Sequence, residues 1–298
     1  MIYTVTFNPA VDYVMYLDEI KAGCVNRSAS EKIFFGGKGI NVSIVLRELG
    51  VDSAALGFTA GFTGRAIEES VSAMGIKTDF VHLKSGCSRI NVKIKSSVET
   101  EINSQGPEID DAALAQLFAK IDDLEIGDTL ILAGSIPSSL PSDVYERICV
   151  RLDGKGVRVI ADASGELLLN VLRYEPFLVK PNNFELGELF GVPINDIEAA
   201  AEYAARLQKM GAVNVLVSMA EKGAVLLDEN GAVHSCGVCR GTVRNSVGAG
   251  DSMLAGFVAG LPNGYDYALR LGTAAGGATA FSDGLAARED IFMLLEQL

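Results

Sequence analysis

The sequence predicts an α/β protein: a three-layer core with a mostly parallel central sheet between helices, and a small β-sheet inserted as a lid. Three observations carry this. Short, almost wholly apolar strand-like runs alternate with stretches of helical period along most of the 298 residues. A glycine closes several of the periodic stretches, at Gly50, Gly75 and Gly211. Two segments, 10–35 and 87–106, break the rhythm with runs that alternate apolar and polar residues, as a sheet with one wet face requires. The division that follows is a core of 1–9, 36–86 and 107–298, and a lid of 10–35 and 87–106.

Taken in order, strands are expected at 2–7, 53–58, 128–133, 157–161, 177–180 and 214–219, with a further β-like run at 224–228. Helices are expected at 39–49, 63–74, 142–152 and 195–210, and an apolar helical run begins at Met253. In an open parallel sheet the ligand lies beyond the carboxyl ends of the strands. The polar motifs sort to those ends: Asn8 after the first strand, Gly134 and Ser135 after 128–133, Asp162 after 157–161, Lys180 and Asn182 after 177–180.

Hydrophobic residues make up 49%, enough for a full core. The net charge of −13, from 25 basic and 38 acidic residues, repels nucleic acid and anionic lipid. No run is long and apolar enough for a membrane span, and the first residues read as a strand rather than a signal peptide. Five cysteines, an odd number, fit a reducing cytoplasm. Cys236 and Cys239 have CxxC spacing with His234 nearby, but no second pair completes a zinc site, and the stretch reads as strand rather than helix start.

Gly248, Ala249 and Gly250 lead into Asp251 and then a helix. Such a turn exposes unpaired N–H groups at the positive end of a helix and suits a phosphate. A carboxylate there has a use as the base that takes a proton from an attacking hydroxyl, or it is only a cap. Gly36, Gly37, Lys38, Gly39 and Asn41 form a second glycine-rich turn; Gly39 stands where a P-loop needs a hydroxyl, so Gly37, Lys38 and Asn41 suit a polyol or phosphate ligand instead. Asp12, past the first strand, can accept bonds from vicinal hydroxyls or be a turn residue. Arg89, Asn91 and Lys93 share a face of one strand, and Arg27 lies in the other unusual segment; these cations suit a phosphate, or a solvated edge. Lys180 precedes Asn182 and Glu185, three apart at a helix start, which suit Mg²⁺ or a capping box. Ser218, Glu221 and Gly223 belong to a turn between two β-runs.

In this order the five motifs resemble those of the ribokinase-like (pfkB-type) carbohydrate kinases, over essentially the whole chain. The resemblance implies MgATP as phosphoryl donor and a homodimer formed through the lids. Asp251 then matches the catalytic base, and Gly248, Ala249 and Gly250 the anion hole. Asn182 and Glu185 match the magnesium-organising pair; Asp12, Gly37, Lys38, Asn41, Arg89 and Asn91 match substrate contacts, joined by Arg27. Lys180, Ser218, Glu221 and Gly223 match the ATP-phosphate side, with 275–284 near the adenine. The finer detail around 25–27, 88–93, 101–103, 133–141 and 245–253 is similar to members acting on ketose phosphates. Two departures are Cys87 with Ser88 before Arg89, where Ser88 keeps a hydroxyl, and Ala220 where glycine is common.

Overall fold

The computed structural model describes residues 1–298. Its strands are β1 (Ile2–Thr6), β2 (Ala10–Tyr16), β3 (Ser30–Gly36), β4 (Ser53–Ala60), β5 (Lys77–Leu83), β6 (Arg89–Lys95), β7 (Thr100–Ile102), β8 (Thr129–Ala133), β9 (Arg158–Asp162), β10 (Leu178–Val179), β11 (Asn214–Ser218), β12 (Ala224–Leu227) and β13 (Val233–Cys236). The helices are α1 (Lys38–Glu48), α2 (Gly61–Ala73), α3 (Asp111–Asp122), α4 (Val144–Leu152), α5 (Gly165–Leu172), α6 (Asn183–Phe190), α7 (Ile197–Lys209), α8 (Ala249–Gly260), α9 (Tyr265–Ala280) and α10 (Arg288–Leu295).

Nine strands form one sheet in the order β13-β12-β11-β10-β9-β8-β1-β4-β5, parallel throughout except for β12 and β13 at one edge. Because its strands are covered on both faces, successive side chains enter different cores. Leu130 and Leu132 pack with Leu117, Tyr145, Leu168 and Leu207 on one side. Ile131 and Ala133 pack with Val42, Leu254, Phe257 and Ile291 on the other. The chain leaves β1 for β4 on one flank and returns to β8 on the other. That reversal opens a crevice beyond the end of β1, where the ligand of such a sheet belongs.

The second sheet has four strands, β3-β2-β6-β7, with β2 and β6 parallel and the outer pairs antiparallel. Register places Asp12 beside Asn91 on one face and Tyr13 beside Ile33 and Val92 on the other. The expected alternation across 87–106 resolves into β6 and the short β7, with turns between.

Periodicity missed β5, α3, α5, α9 and α10. The omission of α9 has a physical reason. Gly272, Ala274, Ala275, Gly276 and Ala278 are small residues buried on nearly every side, so no apolar stripe marks the helix. Their size lets α9 press against α8: a Cβ on Gly256 would stand 2.6 Å from the Leu271 carbonyl oxygen.

Candidate active site

A cleft of about 410 Å³ opens at the carboxyl ends of the central strands, beneath the second sheet. The α8 end is its floor. Gly248 takes the left-handed region at φ +82° as N-cap, with no side chain bonding the first turn. The Ala249 N–H turns back to the Ser246 carbonyl at 3.3 Å, whereas the Gly250 and Asp251 N–H groups have no partner. The turn therefore presents two free backbone donors, those of Gly250 and Asp251. A Cβ on Gly250 would lie 3.3 Å from Lys180 Nζ, so the glycine leaves room for an ammonium over the turn.

Asp251 is 5% exposed and accepts a 2.8 Å hydrogen bond from Asn41 Nδ2 on Oδ2. Burial first, then the nearby Asp162 carboxylate, push its pKa up to about 6, against the pull of Asn41, Lys38 and Lys180. Asp162, at the end of β9, contacts Lys180 Nζ at 3.3 Å and Lys38 Nζ at 3.7 Å through Oδ1. Its Oδ2 is buried without a partner. Burial works against the Lys38 ammonium, but Asp162, Asp251 and Glu185 hold its pKa above the ordinary lysine value.

The glycine turn before α1 divides its labour. Gly37, at φ +139°, approaches β1 so closely that a Cβ would meet Thr6 Cγ2 at 2.5 Å. Gly39 faces Thr6 and the Val5 carbonyl at 2.7 Å, so its smallness serves the packing of α1 on β1. That accounts for the absence of a P-loop hydroxyl. Lys38 and Asn41 are left facing the cleft.

On the roof, Asn91 Nδ2 donates to Asp12 Oδ1 at 2.9 Å, and Asn91 Oδ1 is buried and unpartnered. Arg89 Nε donates to the Asn8 carbonyl at 2.9 Å. Burial lowers the Arg89 pKa, partly offset by Asp12. Ser88 is taken up by structure: its hydroxyl accepts from the Ala60 N–H at 3.0 Å.

Asn182 and Glu185 line the cleft as a capping box: Asn182 Oδ1 accepts from the Glu185 N–H, and Glu185 Oε2 from the Asn182 N–H, each at 2.8 Å. The capping-box alternative is the one present, and Glu185 Oε1 is not used by the box. With the free Asp162 Oδ2, these oxygens fit Mg²⁺, which keeps several waters and few protein ligands. A parallel bridge sets Ser218 beside Asn182.

The cleft thus gathers Asp12, Gly37, Lys38, Asn41, Arg89, Asn91, Lys180, Asn182, Glu185, Ser218, Gly248, Gly250 and Asp251. Four expected residues are not part of its lining: Ala249, whose N–H turns back to Ser246, and three that lie elsewhere. Arg27 is exposed on the loop between β2 and β3, without an ion-pair partner. Glu221 is exposed in the one-turn segment Ala220–Lys222, where Ala220 itself is left-handed at φ +50°. Gly223 serves packing: a Cβ there would stand 1.9 Å from the Cys236 carbonyl oxygen. Of 275–284, Ala275, Ala278 and Thr279 are buried in α9; Gly277, Ala280 and the following loop are at least partly accessible, with Leu285 against Gly248. Asp162 and Lys93 also line the cleft; the sequence marked Asp162 only by its place at a strand end and Lys93 as one of the cations that suit a phosphate. Cys236 and Cys239 are buried thiols, and the His234 nitrogens meet Asp228 and Asp266 instead.

A crevice at the sheet reversal, free N–H groups and a buried carboxylate beside lysines suit a phosphoryl group, and comparison with known proteins gives the class, a kinase of carbohydrates. Residues 5–290 match the pfkB family of carbohydrate kinases, and the chain belongs to that family. It is 46% identical to 1-phosphofructokinase of Bacillus subtilis (strain 168), covering 100% of this chain and 98% of that protein. It is 40% identical to D-tagatose-1-phosphate kinase of Bacillus licheniformis, covering 96% and 94%. Phosphofructokinase-2 from Escherichia coli, solved in complex with substrates and products, superposes with a TM-score of 0.93 at 25% identity, covering 100% and 99%. The chain is a sugar-phosphate kinase of the ribokinase-like fold.

Proposed function

We propose that the protein transfers the γ-phosphoryl group of ATP to the C6 hydroxyl of D-fructose 1-phosphate, giving fructose 1,6-bisphosphate. One observation carries the chemistry: Asp251, buried and raised to about 6, sits in the first turn of α8 beside two unpartnered N–H groups and Lys180. Asn41 holds one oxygen of Asp251 and leaves the other to accept the hydroxyl proton. The Gly250 and Asp251 N–H groups and the Lys180 ammonium face the transferring phosphoryl oxygens, where negative charge must be stabilised. Gly248 and Ala249 shape that turn. Asp12, fixed by Asn91, accepts from the sugar hydroxyls, with Gly37 and Lys38 alongside. Arg89 binds the phosphate that the acceptor already carries, and the second sheet closes as a lid that excludes water. Mg²⁺, held through Asn182, Glu185 and water, would neutralise charge on the ATP phosphates.

The motifs alone leave tagatose 6-phosphate and fructose 6-phosphate as competing acceptors. The two relatives at 40% identity or more favour a C1 phosphate, being named for a ketose that carries one, and tagatose is the C4 epimer of fructose; phosphofructokinase-2, at 25%, is the more distant comparison. Initial rates with ATP and D-fructose 1-phosphate, D-tagatose 1-phosphate and the two 6-phosphates decide the acceptor. The reading expects fructose 1-phosphate to give the highest kcat/KM; a preference for any of the others overturns it. The reading also includes a cytoplasmic setting, which the five unpaired cysteines favour, and a homodimer formed through the second sheet.

A further inference from the structure

The inner face of the second sheet carries a cation that the mechanism above does not use. Register sets Lys93 of β6 beside Val14 of β2 on one side and Glu101 of β7 on the other. Arg89 and Asn91 precede it on the same face, and all three line the cleft. The Lys93 side chain is 12% exposed, while Glu101, outside the cleft lining, is 38% exposed. Their Nζ–Oε1 separation is 3.4 Å, longer than a charge-assisted hydrogen bond. Val14 is apolar and buried, so Glu101 is the only ion-pair partner Lys93 has. The other lysines of this face are engaged away from the cleft, Lys95 with Glu99 and Lys32 with Asp283. Four cations line the cleft. Lys38 and Lys180 flank Asp162 near the base, whereas Arg89 and Lys93 lie four residues apart on one face of β6, on the roof. A nearly buried ammonium with one long contact is poised to exchange it. A phosphate monoester bears close to two negative charges at neutral pH and outcompetes a single carboxylate.

We propose that Lys93 is a specificity-determining residue that, with Arg89, binds the phosphate already present on the acceptor, and that Glu101 is the counter-ion it exchanges for that phosphate. This rests on the sugar-phosphate kinase reading and names how the site sorts phosphorylated from free sugars. A free ketose leaves Lys93 paired with Glu101 and gains nothing from it.

The test uses the full-length wild type, Lys93→Met, Lys93→Arg and Glu101→Gln, with initial rates on D-fructose 1-phosphate and free D-fructose and calorimetric titration with the sugar phosphate. Lys93→Met is expected to raise the sugar-phosphate KM about tenfold or more, the scale of one lost charge-assisted contact, with a much smaller change in kcat. The ratio of kcat/KM for fructose 1-phosphate over free fructose falls to match. Lys93→Arg recovers most of the loss, and Glu101→Gln, by releasing the lysine, lowers the KM. Equal losses on both sugars would make Lys93 a structural residue, and an unchanged KM would remove it from the site; either overturns the proposal, as does a raised KM in Glu101→Gln. If another ketose phosphate proves to be the acceptor, the assignment of fructose 1-phosphate fails while the same comparison on that acceptor still decides Lys93. Calorimetry reads the phosphate contact without turnover.

Discussion

At the scale of single residues, Asp251 combines two demands that pull against each other. A base must be charged to work, yet burial and Asp162 disfavour its charge and raise its pKa from 3.8 to about 6. Activity is therefore expected to rise with pH through about 6, as the carboxylate forms, and the pH profile of kcat/KM checks this. Asp251→Asn keeps the shape and an acceptor for Asn41 but removes the base, so turnover should fall a hundredfold or more; near-normal turnover would remove Asp251 from its role. Stability runs the other way. A carboxyl whose folded pKa is raised favours the fold in its neutral form, so its contribution is complete below the unfolded value near 3.8. It disappears as pH rises through about 6. The charged form costs roughly 3 kcal/mol by that interval. Asp251→Asn should consequently melt several degrees higher than wild type at pH 7.5, with the gap shrinking at pH 4.5; scanning calorimetry at both pH values measures it.

Among the elements, α8 and α9 show how packing holds the site. Asp251 lies in the first turn of α8, and α8 is seated against α9 through Gly256, Gly260 and Gly272, with backbone contacts too close for any Cβ. Gly256→Ala forces the helices apart at the Leu271 carbonyl. It should cost about 1–3 kcal/mol by overpacking and also lower kcat, since the base moves with its helix; thermal melts and kinetics together test the coupling. A second tie joins β13 to α9. Partial burial opposes the charged His234 ring, but hydrogen bonds to Asp228 and Asp266 outweigh it and raise its pKa. That stabilisation is complete below the unfolded value near 6.5 and is lost as pH climbs through the raised one. His234→Ala should therefore lower Tm more at pH 5.5 than at pH 9. Legibility in the sequence divided along the same physical line. The apolar strands and the helices ending in glycine could be read because each shows a period or a stop. The buried α9 could not, because small residues on all sides erase the period. In the cleft, Asp251, Lys38, Asn41 and Arg89 stood in motifs that fix local backbone. Asp162 showed only its place at a strand end, and its part is defined by the fold, which sets it between Lys180 after β10 and Lys38 of α1. Gly223 shows the converse, a residue in a ligand-like turn whose smallness answers to the Cys236 carbonyl.

For the whole molecule, the second sheet poses the question of what covers its outer face. The inner face carries Asp12, Arg89, Asn91 and Lys93 toward the cleft. Register puts Ile33, Tyr13, Val92 and Ile102 in one row across all four strands on the opposite face, with Ile90 two residues along β6. Ile33 is 53% exposed and Ile102 59%, with Ile90 also exposed. A row of branched apolar side chains on an open sheet is costly in water, and a second copy of the same sheet is the self-complementary partner that a two-fold axis supplies. Such a dimer should be broken by charge placed at both ends of the row. The variant Ile33→Asp/Ile102→Asp is expected to elute at the mass of one 31.5 kDa chain, and the wild type at twice that, by light scattering after gel filtration. A wild type that runs as a monomer, or a double variant that stays paired, moves the interface away from this face.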